Sequence, residues 1–307
     1  MKSLSLNMLL ETKYSREKIN LPQEEWTCKK QAHEQRVDEL LNEYLAARSR
    51  HEKNPVMDFL FEYYAFRPAN LRRWSPGIRT ELEFYDLESL PGISELKVEN
   101  NIAFVNPELF PEKRYSSLQW MLGLLEKSKS KRPSYGCFGM HEWAMVYKSD
   151  TPRHNQVPMR MAPDELADFV ESRPLLCTHF DAFRFFTPEA SPMNRFELSR
   201  EKFQDMEQPG CIHSNMDLYK WAFKLYPWIS SDLILDAFEL ACEAREIDMK
   251  ASPYDLLEQG LEPIKIETEE GRIEYRKKQE KIFRKGIPVR ERLIIEYRNL
   301  VEELNLS

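Results

Sequence analysis

SDLILDAFELACEAREIDM, residues 231–249, places Leu233, Ala237, Leu240, Ala244 and Ile247 three or four positions apart. That spacing gathers them on one face of a helix, the stripe by which a helix packs on a core. The same period recurs on either side. In 24–53, Val37, Leu40, Leu41, Tyr44 and Leu45 follow the i, i+3, i+4, i+7, i+8 pattern. Pro55 opens the next helix, VMDFLFEYYAF (56–66), and Arg67 and Pro68 close it; its apolar character nearly all round predicts deep burial. Further helical patterns occupy 112–128, 133–148, 163–172, 197–207 and 213–226. Two charged helices follow at 268–285 and 288–304, broken at Gly286-Ile287-Pro288, where Gly can end one and Pro can open the other.

One stretch departs from this period. Between 79 and 105, TELEFYDL and KVENNIAFV are β-compatible and are separated by LPGISEL, whose Pro-Gly signals a turn. The first twenty residues are polar and lack a clear period. The expected fold is therefore mainly α, a multi-helix globular domain with a small two-stranded β element. An N-terminal arm (1–23) precedes a main helical domain (24–260) with the β insertion near 79–105, and a C-terminal helical pair (261–307) packs on it.

Of the 307 residues, 42% are apolar and 31% charged, which fits a globular protein. At that length roughly three quarters of the unfolded surface can be buried. The net charge of −7 argues against a dedicated duplex binder, which carries a basic excess. The densest basic run, KSKSKR (127–132), reads first as a solvated helix end or loop, as does the smaller pair Arg72 and Arg73. Five cysteines, with no cationic start leading into a sustained apolar run, predict reduced thiols and a cytoplasmic location. No segment approaches the ~18 apolar residues of a membrane span, so no membrane partner is expected.

Three segments break the apolar rule. CFGMHEWAMVY (137–147), CTHFDAFRFF (177–186) and GCIHSNMDLYKW (210–221) each set ionisable residues in apolar and aromatic surroundings. An unpaired buried ion is costly, so such groups must pair, bind a metal or stay neutral. Convergence of His141 and Glu142, His179 and Asp181, and His213 and Asp217 on one buried polar cluster would meet that demand. His213 and Asp217 share a helix face at i, i+4, so Asp217 is expected to orient or charge His213. His179 and Asp181 share a face if their segment is extended. Asn215, Tyr219 and Lys220 beside His213 are candidate substrate contacts, although helix position alone places Lys220 partly outward. The aromatic set Phe59, Phe61, Tyr63, Tyr64 and Phe66 reads first as core. Cys137, Cys177 and Cys211 precede the histidines without any CxxC pair, so they read as free buried thiols rather than zinc ligands.

Extended to CTHFDAFRFFTPEASPMNR (177–195) and EQPGCIHSNMDLYKWAFKL (207–225), and taken with ASPYDL (251–256) and FLFEYYAFRPANLRRW (59–74), these segments resemble a bacterial family. Its members often carry the automatic name 3-methyladenine DNA glycosylase. The resemblance covers most of the chain from about residue 24. It implies an N-glycosidic-bond hydrolase acting on a damaged or modified nucleobase, with DNA or another nucleobase-containing substrate as partner and no cofactor. Glu142, Asp181 and Asp217 would then be the carboxylates, with His141, His179 and His213 as proton donors or orienting groups; Trp143 and Phe180 would wall the base pocket. LPGIS (90–94) has Ser94 where the LPGVG-like hairpin of helix-hairpin-helix glycosylases has glycine, and the segment after it reads as strand.

The same residues admit a second class. His141, Glu142, His179, Asp181, His213 and Asp217 suit a divalent iron, manganese or zinc ion in a hydrolase or oxygenase. In a third class the cluster is structural and the charged C-terminal helices bind a protein partner whose identity the sequence leaves unknown.

Overall fold

The computed structural model describes residues 18–149 and 157–306, so most of the expected N-terminal arm, residues 1–17, lies outside the described residues. The apolar stripes read from the sequence meet one another. Helix α1 (Gln23–Ser49) buries Val37, Leu41 and Tyr44 and leaves only the edge of its stripe, Leu45, in solvent. Helices α2 (Tyr115–Ser130), α3 (Met140–Ala144) and α4 (Pro163–Glu171) follow. Helix α5 (Ile212–Lys224) is the centre of the molecule: every residue from Ile212 to Ala222 is buried. Helix α6 (Ser231–Lys250), capped by the Ser230 hydroxyl on the Asp232 amide, lies against α5, and α7 (Glu269–Leu306) packs on α5, α6 and α2.

Among the described residues three apolar clusters result, a small one behind the sheet (Leu21, Trp26, Trp74, Leu82, Phe84 and Ala103) and two large cores. One large core joins α1, α2, α5, α6 and α7. The other gathers α3, α4, the 175–198 segment and Tyr254 to Ile266. Phe180 and Ile247 pack against both, and the polar cluster lies where the two cores meet.

The fold is mainly α, with corrections at four places. Among the described residues the β element has four strands rather than two: β1 (Ile19–Leu21), β2 (Thr80–Glu83), β3 (Leu96–Glu99) and β4 (Ile102–Val105), in the order β1-β2-β4-β3. KVENNIAFV splits because Asn100 and Asn101 take φ of 47° and 65°, the left-handed pair of a two-residue hairpin turn. Residues of the expected arm supply β1, which pairs parallel with β2. The Trp26 indole N–H donates to the Glu83 carbonyl at 2.7 Å and ties this sheet to α1.

The expected C-terminal pair is instead the single 38-residue helix α7, continuous through Pro288. A proline inside a helix costs about 3 kcal/mol, which packing along several neighbours offsets. Gly286 does not end the helix; a Cβ there would collide with the Asn215 side chain, so the glycine lets α7 approach α5. The patterns at 133–148 and 197–207 shrink to Met140–Ala144 and Phe203–Met206, interrupted by Pro133, Gly136 and Gly139 and stopped before Pro209. Finally, VMDFLFEYYAF forms a π-helical turn at Phe59–Tyr63.

Among the described residues no helix is long and apolar enough to cross a membrane. On α7, burial pushes the Glu296 carboxyl up to about 7, against the pull of Arg292 and Arg79. With a folded pKa above the unfolded value of roughly 4.3, this group's contribution to stability is most favourable at low pH and is lost as pH rises through 7. Glu296→Gln is therefore expected to gain about 1–3 kcal/mol at pH 8 and nearly nothing at pH 4, measured by urea denaturation. A gain of equal size at both pH values would reject this account.

Candidate metal centre and active-site chamber

Four stretches of chain deliver the polar cluster. Gly139 takes a φ of 79° and turns the chain into α3, which presents His141 and Glu142 inward. His179 is extended (φ −102°, ψ 111°) and precedes a single helical turn, Phe180–Phe183, that carries Asp181. Helix α5 contributes His213, Asp217 and Lys220, and α6 contributes Arg245 and Asp248, three apart on one face. The segments do converge. The His141 and His213 rings lie 4.4 Å apart, edge to face, and His179 stacks on His213 at 5.2 Å.

Each ionisable group has a partner of opposite charge. His141 Nε2 is 2.7 Å from Asp248 Oδ1, while Arg245 Nη1 donates to Asp248 at 2.6 Å and to Glu142 at 2.8 Å. His213 Nε2 is 3.8 Å from the same Asp248. On the other side, His179 Nδ1 meets Glu207 at 2.9 Å and its Nε2 faces Asp217 Oδ2 at 3.8 Å. Lys220 Nζ bridges Asp217 (2.5 Å) and Asp181 (3.0 Å), and the Tyr64 hydroxyl donates to Asp217 at 2.7 Å.

These contacts set the three histidines apart electrically. Burial works against a charged His141, but the Asp248 carboxylate outweighs it and holds His141 well above the ordinary histidine value. For His179 burial is likewise overcome, chiefly by Glu207. His213 is pushed well below the ordinary value by burial and by the neighbouring charge of His141. Asp248 stays ionised despite burial because His141, His213 and Arg245 surround it. For Asp181, burial would raise the carboxyl, and Lys220 more than reverses that.

Among the described residues two donor groups emerge, His141/His213/Asp248 and His179/Asp181/Asp217, in each of which one donor atom per residue lies within 4.8 Å of the others. A chamber of about 160 Å³ touches all of the second group and His213, Glu142 and Arg245, but not His141 or Asp248. Phe59, Tyr63 and Tyr64 form one wall, and the π turn explains it: about 4.4 residues per turn bring positions 59, 63 and 64 to one face. Phe59 and Tyr63 stack at 4.8 Å; the aromatic set packs in or against the first core, as read, and its 59, 63 and 64 face also lines the chamber.

Several expectations need correction. Asp217 serves His179, Tyr64 and Lys220, whereas the carboxylate beside His213 is Asp248. Trp143 is fully buried, donates to the Ala251 carbonyl and packs on Phe169, outside the chamber. Asn215 spends its amide on the Pro209 and Cys211 carbonyls and accepts from Arg290. Tyr219 lies in the core against Phe66 and Phe238. Phe180 borders a neighbouring cleft. Lys220 is buried rather than outward, drawn in by its two carboxylates. The cysteines belong to neither donor group; Cys137 Sγ lies 3.4 Å from His141 Nδ1.

Sequence reading missed Tyr64, Glu207, Arg245 and Asp248. Asp248 had a signal, since it continues the Ala237, Leu240, Ala244 stripe at the next i+4 step and so puts an acid on a core-facing stripe. Glu207 opens the EQPGCIHSN segment, but nothing local ties it to His179. The chain matches no protein-family model, no curated protein and no solved structure.

Proposed function

We propose that the protein is a metal-dependent hydrolase whose divalent iron, manganese or zinc ion is held by His179, Asp181 and Asp217. The carrying observation is that these three donors lie together on the wall of the chamber. Their surroundings suit the role. His179 Nδ1–H donates to Glu207, the usual support of a metal-bound histidine, which leaves Nε2, 3.8 Å from Asp217 Oδ2, as the nitrogen that would face an ion once its proton is displaced. Lys220 already bridges the two aspartates, which marks a position that calls for positive charge.

A divalent ion at such donors acidifies bound water and polarises the bond to be cleaved. The chain's own groups do the rest. His213, neutral in its buried place, accepts a proton at an imidazole nitrogen. Arg245, aligned by Glu142 and Asp248, offers positive charge to the chamber, and the Phe59, Tyr63 and Tyr64 wall excludes bulk water. The His141–Asp248 pair, outside the chamber, positions His213.

Metal analysis of protein purified without an affinity tag tests this reading. About one divalent ion per chain is expected, lost in Asp217→Asn, and Glu207→Gln should weaken its affinity about 10–100-fold. Untagged protein that neither carries nor takes up iron, manganese or zinc would refute it.

A second reading is the base-releasing glycosylase of the family resemblance. It is favoured by the chamber's size, about 160 Å³, close to the ~150 Å³ cavity known to admit benzene, and by its aromatic walls. Release of free base from a methylated duplex in the presence of a chelator would support it and remove the need for metal.

A further inference from the structure

Beside the chamber, and sharing Tyr63, Tyr64 and Asp181 with it, opens a cleft of about 1020 Å³. Its charge reverses that of the chain. Arg114, Arg184, Arg200, Lys220 and Lys224 line it, and Asp181 is its one acidic lining residue among the described residues. Lys220 is satisfied by Asp181 and Asp217, and Arg184 leans on Asp181 and the Tyr63 hydroxyl. Arg114, Arg200 and Lys224 have no ion-pair partner among the described residues; Arg114 donates to the Lys224 carbonyl. Three uncompensated cations around one concave site, in a protein of net charge −7, call for an anionic ligand.

Aromatic faces adjoin the cations. Trp221 carries the Lys220 ammonium 4.2 Å and the Lys224 ammonium 5.0 Å from its ring centroid, and Trp120, 38% exposed, meets Trp221 edge to face at 6.2 Å. Indole faces stack on planar rings, and guanidinium and ammonium groups bind phosphate. The contrast with KSKSKR is instructive: Lys127 pairs with Asp205, Lys129 with Glu291, and Lys131 donates to the carbonyls of Gln204, Asp205 and Glu207. Three of the four cations of that run are spent on the fold.

We propose that this cleft binds a nucleoside phosphate, the phosphate among Arg114, Arg200 and Lys224 and the base against Trp120. The cleft's volume is that of a small-molecule site rather than a polymer groove. Delivery of the scissile bond past Asp181 to the chamber rests on the hydrolase reading; binding in the cleft does not.

The test is made on full-length, chelator-treated protein, so that it is independent of metal. Tryptophan fluorescence and calorimetry would follow adenosine monophosphate, adenosine, inorganic phosphate and a single-stranded oligonucleotide. Saturable binding of the monophosphate is expected, with adenosine and phosphate each at least about tenfold weaker. Arg200→Ala and Lys224→Ala, both at exposed positions, should each weaken it about tenfold without changing the melting temperature. No saturation by about 10 mM, unchanged affinity in both variants, or an oligonucleotide bound more than about tenfold tighter than the monophosphate would each overturn the assignment.

Discussion

Arg245→Met is expected to destabilise the protein by about 3–5 kcal/mol, the cost of removing one partner from a buried ion pair. Arg245 is 3% exposed and its Nη1 alone serves both Glu142 and Asp248. Methionine fills similar volume but leaves Glu142 without its cation, and leaves Asp248 with only the two histidines. Much of the loss is therefore the stranded charge rather than the lost bond. Adding Glu142→Gln to Arg245→Met should recover part of it, because the double variant no longer holds that unpaired carboxylate. Urea denaturation of the two single variants and the double measures this. A loss below about 1 kcal/mol for Arg245→Met would mean that the arginine is not the charge that holds the cluster together.

Lys220→Met is expected to make stability depend on metal. Without divalent ions it leaves Asp181 and Asp217 facing each other with their bridging cation removed, at a cost of about 3 kcal/mol. A divalent ion bound by the same carboxylates and His179 would restore neutrality, and saturation at a hundred times the dissociation constant returns about 2.7 kcal/mol. Thermal melts in chelator and in excess manganese or zinc should thus differ far more for the variant than for the parent, whose lysine competes with the ion. Equal metal responses, or none, would show that the aspartates hold the lysine for its own sake.

Much of this cluster could be foreseen from an energetic conflict. His141, Glu142, His179, His213 and Asp217 sit in apolar sequence, where only mutual satisfaction makes an ionisable group tolerable, and the folded chain satisfies them together. The helix faces of 231–249 and 24–53 were equally legible, because periodicity is a local property. Pairing was not. Which carboxylate meets which imidazole depends on how α5 and α6 cross, so Asp248 rather than Asp217 stands beside His213. The same holds for the C-terminal helix. Gly and Pro are local stop signals, but the contacts of α7 with α2, α5 and α6 override them. The π turn at Phe59–Tyr63 was likewise invisible, since its apolar run fits a regular helix equally well.

Gly286 has no side chain, yet it fixes how closely the longest helix can lie against the most enclosed one. The atom it would strike belongs to Asn215, two positions from both His213 and Asp217. Clearance at that crossing is the difference between a hydrogen and a methyl group, and the spacing of the reactive side chains inherits it. The tolerance of the interior is therefore machined at a site that carries no chemistry of its own.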